Sequence, residues 1–237
     1  ESHLQILNNV RQAIRNTNSL GQVGIMLDTK GPEIRTGFLE NGHSVQLKEG
    51  QTLRITGDYS VKGSAQILAL SYIGVVSKMK AGQKILIADG NLTLKGEQVE
   101  KEALVTTVMN DYKLGERKNV NLPGVKVDIP VITEKDRHDI LNFGLKHKVD
   151  YVALSFTRTR KCIESCRTLL GAEGKGIQII PKIENEEGLE NILEIIQISD
   201  GLMMARGDLG MELEPSNLLI AQKYMTKKCR FYGKPVI

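Results

Sequence analysis

The alternation of apolar and polar positions divides the chain into three textures. Leu4, Leu7, Val10 and Ile14 recur every three or four residues, so the spacing predicts a helix over 3–16. A compact apolar run, Val23 to Leu27, then reads as a strand that stops at Asp28-Thr29-Lys30-Gly31-Pro32, where glycine and proline punctuate the exit. From about 34 to 130 the period shortens. Val45 and Leu47, Leu53 and Ile55, and Ile85 and Ile87 each alternate with polar residues between glycine turns, the pattern of half-buried strands. So long a stretch is no loop; it predicts an inserted all-β unit over 34–130. Ala88-Asp89-Gly90-Asn91 inside it reads as a hairpin turn, and Arg117-Lys118-Asn119 as a solvated surface turn.

Regular alternation of helix and strand resumes after 130. Thr133 and Asp136 form a plausible cap for a helix carrying Ile140, Leu141 and Leu145; Tyr151 to Phe156 is the next strand, and a helix near 160–170 follows. The stretch from Ile177 to Glu214 is the densest in chemistry. Ile177, Ile179 and Ile180 are a buried strand, and beyond them Lys182 and Glu184, two residues apart, leave an extended chain on one side. Asn185 caps a helix carrying Leu189, Ile192, Leu193 and Ile196, and Leu202 to Ala205 is a strand stopping at an acidic glycine turn, Arg206-Gly207-Asp208-Leu209-Gly210. A last helix near 216–232 leads to a strand beginning at Val236. The fold class is therefore α/β, with residues 1–33 and 131–237 forming one unit around the inserted β segment.

Parallel strands bring their carboxyl ends to one edge, so Lys182, Glu184 and Asp208 are expected in one polar cluster there. Two carboxylates beside an exposed turn suit Mg²⁺, which takes few protein oxygens, and a neighbouring lysine suits phosphoryl or enolate chemistry. The competing reading is a Lys182–Glu184 salt bridge at a rim, with Asp208 only capping the segment after it. Ser155, Phe156 and Arg158 lie at the same edge, as rim packing or as substrate contacts.

Composition narrows the class further. The 41% apolar content supports a packed core, while a net charge of +4 without long basic runs gives no support for nucleic-acid binding. Cys162, Cys166 and Cys229 have neither disulfide nor zinc spacing, and the first two read as thiols on a helix's core face. No apolar run reaches a membrane span and no signal peptide opens the chain, which predicts a cytosolic protein without membrane association.

The segment PKIENEEGLENILEIIQISDGLMMARGDLGMELE resembles the pyruvate kinase signature, and LDTKGPEIRTG at 27–37, VNLPGVKVDIP at 120–130 and ALSFTR at 153–158 resemble further motifs of that family in the same order. The resemblance implies a partial (β/α)8 barrel with an inserted β lid, and phosphoryl transfer from phosphoenolpyruvate to ADP in glycolysis. It implies that Glu184 and Asp208 hold Mg²⁺, that Lys182 is catalytic, and that the backbone around Ala205, Arg206 and Gly207 receives the substrate carboxylate. Asp28 and Thr29 would hold K⁺, with Glu33 marking the K⁺-requiring members, and Arg35 and Lys118 would contact nucleotide phosphate. Two positions depart from the pattern. Asn119 stands where many members have glycine, and Pro181 where they have a small residue, which predicts a local bulge.

A strand that stops at Ile237 after two residues leaves backbone groups without neighbours, so the chain reads as a fragment and, in isolation, as inactive. The resemblance places barrel strands on either side of it and implies a homotetramer for the longer protein. Two other readings remain: a Mg²⁺-dependent lyase or aldolase acting on a pyruvate enolate, and a fragment that binds ligands without turnover.

Overall fold

The computed structural model describes residues 2–237. Helix α1 (Ser2–Asn16) opens it and buries only Leu7, leaving Leu4 and Ile6 exposed. Strand β1 (Met26–Asp28) is shorter than the apolar run suggested, with Val23 exposed. The cause is local. Ile25 N–H donates to the Asp150 carboxylate at 2.6 Å, and Ile25 O accepts from Asp150 N–H and Tyr151 N–H, so a side chain and a turn hold this segment before the ladder starts.

The chain then enters the β insertion: β2 (Ile34–Arg35), β3 (Val45–Leu47), β4 (Thr52–Thr56), β5 (Ile67–Ala69), a one-turn helix α2 (Val75–Lys78), β6 (Lys84–Ile87), β7 (Leu92–Val99), β8 (Leu104–Val108), β9 (Tyr112–Leu114) and β10 (Asn119–Asn121). Seven of these form one sheet in the order β2-β10-β6-β7-β8-β4-β5, and β3 pairs with β9. Alternation explains the core: Leu53 and Ile55, Ile85 and Ile87, and Leu92 and Leu94 all point inward and are fully buried together. At the β6–β7 turn Ala88, Asp89 and Gly90 all have positive φ (54°, 56° and 79°), the conformation of a tight hairpin turn.

After Pro130 the chain forms α3 (Glu134–Asp139), whose capping box is Thr133 and Asp136, and runs directly into a π-helical segment, Ile140–Leu145. Then come β11 (Tyr151–Leu154), α4 (Arg160–Leu170) and β12 (Gln178–Ile183). The helix expected over Leu189–Ile196 is divided into α5 (Glu186–Glu190) and α6 (Ile192–Ile198) at Asn191, whose side chain reaches out to Arg158 O at 3.0 Å. Two-residue β13 (Met203–Met204), α7 (Arg206–Glu212) and α8 (Pro215–Phe231) complete it, and Val236 only bridges to Leu202. The glycine turn expected at Arg206–Gly210 is thus the opening of a short helix.

Strands β1, β11, β12 and β13 lie side by side, all parallel, as an α/β sheet forming part of a (β/α) barrel. Their shared core is continuous apolar sequence, Val152, Leu154, Ile179 and Ile183, packed under Ile163, Cys166 and Ile195. Cys229 is buried with them, whereas Cys162 is only partly buried. The bulge expected at Pro181 is absent: it pairs in register with Leu154, and the next two residues pair with β13 instead. Proline's missing donor falls where the pairing passes from one neighbour to the other.

Few bonds link the two units. Arg158 donates to Ile129 O, and Lys126 meets Glu190 at 3.1 Å, whereas Asp128, accepting from Tyr72 Oη at 2.7 Å and paired with Lys78 at 3.1 Å, ties the end of the insertion back onto itself.

Candidate active site

The carboxyl ends of β1, β11 and β12 converge on one lysine. Lys182 Nζ lies 3.1 Å from Asp28 Oδ1, 3.3 Å from Asp28 Oδ2, 3.1 Å from Ser155 Oγ and 3.1 Å from Glu184 Oε1. Its side chain is 13% exposed and that of Glu184 is 2% exposed, while Asp28 is 60% exposed. Burial opposes the Lys182 ammonium, yet Glu184 and then Asp28 outweigh it, and its pKa lies above the ordinary lysine value. The lysine is a permanent cation at neutral pH.

Glu184 sits just beyond β12, where the extended chain keeps it on the same side as Lys182. Its second oxygen accepts the N–H of Phe156, which the chain presents by adopting φ of 53° immediately after β11. This turn ends the strand at Leu154 and not at Phe156. Gly31 makes the turn possible from the other side: with φ of 68°, a Cβ there would lie 2.8 Å from the Phe156 ring and 2.9 Å from Ser155 Cβ. Ser155, buried, joins the strands through its hydroxyl, which donates to Thr29 O at 2.6 Å, and its N–H, which donates to Thr29 Oγ1 at 3.0 Å.

Asp208, in the first turn of α7, faces the same cleft. Burial raises its pKa above the usual carboxylate range against the pull of Lys182, with Glu33 and Asp89 adding to the rise. Burial likewise raises Glu184 against Lys182 and the Phe156 N–H. Glu212, one turn further along α7, is pushed up to about 7 by burial first and then by Glu186 and Asp208. Among the described residues no three His, Cys, Asp or Glu side chains are grouped to hold a metal unaided. A donor set of two partly desolvated carboxylates fits Mg²⁺, which keeps most of its octahedron for water and ligand oxygens.

Of the three backbone groups singled out at 205–207, Ala205 donates its N–H to Ile183 O at 3.2 Å. Those of Arg206 and Gly207 open α7, where amides have no partner within the helix. Across the cleft stand Arg35 and Lys118 from the β insertion. The Arg35 guanidinium is held by Glu33 Oε2, 2.6 Å from Nη2 and 2.9 Å from Nε, and by Arg117 O at 2.9 Å. Lys118 is fixed by its backbone, N–H to Thr36 Oγ1 at 2.8 Å, while its side chain is exposed. Arg117, beside it, has φ of 52°. The cleft has a volume of about 810 Å³, lined on one side by β1, β12 and α7 and on the other by β10 and the β6–β7 turn.

Lys182, Glu184 and Asp208, expected together from the sequence, line one cleft, and three further residues contribute to it. Ser155, whose place at the strand edge suggests rim packing or a substrate contact, is the bridge between Thr29 and Lys182. Asp89, read as turn chemistry alone, acts electrostatically on Asp208, and Gly90 next to it approaches Met211 of α7. Glu212 lies within the signature segment, but no spacing singles it out there.

A family model described as the pyruvate kinase barrel domain matches residues 1–237. A pyruvate kinase of Eimeria tenella is 47% identical over 237 residues, covering 100% of this chain and 44% of that protein. A cytosolic isozyme of pyruvate kinase from Glycine max is 47% identical over 237 residues, 99% of this chain and 46% of its own length. A crystal structure of a pyruvate kinase from Cryptosporidium parvum superposes with a TM-score of 0.94 at 46% identity, over 99% of this chain and 49% of that one, and a Cryptosporidium parvum pyruvate kinase in complex with ADP superposes at 0.85. The chain spans about half the length of the curated relatives it matches. With a parallel sheet whose strand ends gather Asp28, Lys182, Glu184 and Asp208, and with this match along its whole length, the chain belongs to the pyruvate kinase family.

Proposed function

We propose that the protein carrying this chain transfers the phosphoryl group of phosphoenolpyruvate to ADP, giving pyruvate and ATP, as a glycolytic enzyme of the cytosol. The observation that carries the reading is the environment of Lys182: a cation fixed between Asp28, Ser155 and Glu184 at the floor of a cleft whose far wall carries Arg35 and Lys118. Phosphoryl transfer asks a protein mainly for positioning and for fixed charge. Lys182 supplies charge where the transferring group and the developing enolate would lie, and its held geometry spares reorganisation during the reaction. The amides of Arg206 and Gly207, and not that of Ala205, are free to receive the substrate carboxylate.

Glu184 and Asp208 would hold Mg²⁺, whose charge offsets that of the phosphoryl and enolate oxygens. Asp28 and the Thr29 carbonyl would contribute to a K⁺ site, which agrees with their oxygens lying together beside Ser155 Oγ. Arg35, oriented by Glu33 and Arg117, and the exposed Lys118 would bind the nucleotide phosphates. Residues 34–130 then act as a lid over a catalytic unit made of 1–33 and 131–237, with bonds to it at Ile129 and Lys126. The longer protein would be a homotetramer. What supports a kinase over a lyase is the second, basic wall of the cleft, for which a lyase has no second substrate.

The test is pyruvate formation by the full-length protein with Mg²⁺, K⁺, phosphoenolpyruvate and ADP. Pyruvate that appears only with ADP is expected. Pyruvate without ADP would favour the lyase, and none at all would leave a binding protein.

A further inference from the structure

Asp136 lies behind the cleft, in the first turn of α3, and is fully buried. Its two carboxylate oxygens serve different parts of the chain. Oδ2 accepts from Thr133 N–H at 3.1 Å and from Thr133 Oγ1 at 2.6 Å, and Asp136 N–H returns a bond to Thr133 Oγ1 at 3.2 Å. These are the reciprocal bonds of a capping box, and a helix start requires nothing more. Oδ1, by contrast, accepts from Lys30 N–H at 2.9 Å and Gly31 N–H at 3.3 Å, on the loop leaving β1. Among the described residues no other group accepts from either amide.

That loop carries the cluster. Thr29 is held by β11 through its N–H on Ala153 O at 3.0 Å, and Glu33 N–H turns back to Gly31 O at 3.0 Å. Between these two points, among the described residues, Asp136 is the group that fixes the backbone amides. From there the bonds continue through Thr29 and Asp28 to Ser155 and Lys182. We infer that Asp136 is a positioning residue: its Oδ1 sets the loop after β1 so that Asp28 and Thr29 face Ser155 and Lys182, while Oδ2 separately caps α3. The kinetic part of this inference rests on the reaction proposed above; the structural part does not.

The experiment compares Asp136→Asn with Thr133→Ala in the full-length protein, reading amide hydrogen exchange at Lys30 and Gly31 alongside kcat and KM. Thr133→Ala removes the cap partner without touching the loop. Asp136→Asn is expected to speed exchange at both amides at least about tenfold and to lower kcat on the order of 10- to 100-fold, since small misplacements of reacting groups cost that much. KM for ADP should change less than about threefold, because uniform binding is untouched. Thr133→Ala should lower the melting temperature with exchange at the two amides and kcat near those of the unaltered protein. Equal effects of the two variants on kcat, or unchanged exchange in Asp136→Asn, would overturn the inference. If Asp136→Asn does not fold, the unaltered protein decides: slow exchange at Lys30 and Gly31, comparable with Thr29, supports the inference, and exchange at the rate of a free loop overturns it. An unaltered protein without kinase activity would refute the proposed reaction, leaving the exchange measurement to judge Asp136.

Discussion

Replacing Lys182 by methionine removes one charge from the centre of the site while keeping an unbranched side chain of similar length. The loss strands Glu184, only 2% exposed, and leaves Asp28, which is 60% exposed and can turn to water. Breaking a buried ion pair from one side costs about 3–5 kcal/mol. Glu184 keeps its bond from Phe156 N–H, so a loss of about 3 kcal/mol at neutral pH is the appropriate expectation. The loss should depend on pH. Burial already raises the Glu184 pKa, and without the ammonium it rises further. A group with a raised folded pKa stabilises fully below its unfolded pKa and less as pH rises through the folded one, so the deficit should be small near pH 4.5 and grow above it. Denaturant midpoints of both proteins at pH 5 and pH 8 measure this, and adding Glu184→Gln to the lysine variant should recover part of the loss at pH 8. Turnover of the full-length variant should fall at least about 10²- to 10³-fold, the scale for one preorganised charge or donor in the transition state. Near-normal turnover would remove Lys182 from the mechanism. A stability deficit independent of both pH and Glu184 would show that the ion pair is not what the lysine provides.

Other consequences follow from the same geometry. Glu212→Gln should leave stability unchanged near pH 5 and raise it by on the order of 1 kcal/mol at pH 8, because the raised carboxyl loses its stabilising proton as pH passes about 7; an equal gain at both pH values in denaturant titration would contradict this. Gly31→Ala, forced into positive φ against Phe156 and Ser155, should cost roughly 2–4 kcal/mol and abolish turnover, and a melting temperature within a degree of the unaltered protein would refute the packing argument. Turnover of the full-length protein in K⁺ should exceed that in a bulky organic cation at equal ionic strength; equal rates would remove Asp28 and Thr29 as cation ligands.

The sequence by itself determined where strand and helix periods change, and hence the α/β framework around an all-β stretch, because burial of one face per element imposes those periods locally. It also put Lys182 and Glu184 on one side of the chain, since two residues apart in an extended segment leaves no alternative. The exact ends of elements were set by partners far along the chain. Asp150 delays β1, and Glu184 ends β11 by capturing the Phe156 amide. Asn191 divides a continuous apolar helix pattern by bonding to Arg158 O, and Pro181 stays in a central strand because its neighbours change at that residue. Ser155 as a bridge and Asp136 as a double acceptor were invisible for the same reason. Each depends on the loop after β1, at Thr29, Lys30 or Gly31, more than a hundred residues away, and no local period or propensity records a hydrogen bond that only the folded chain brings within reach.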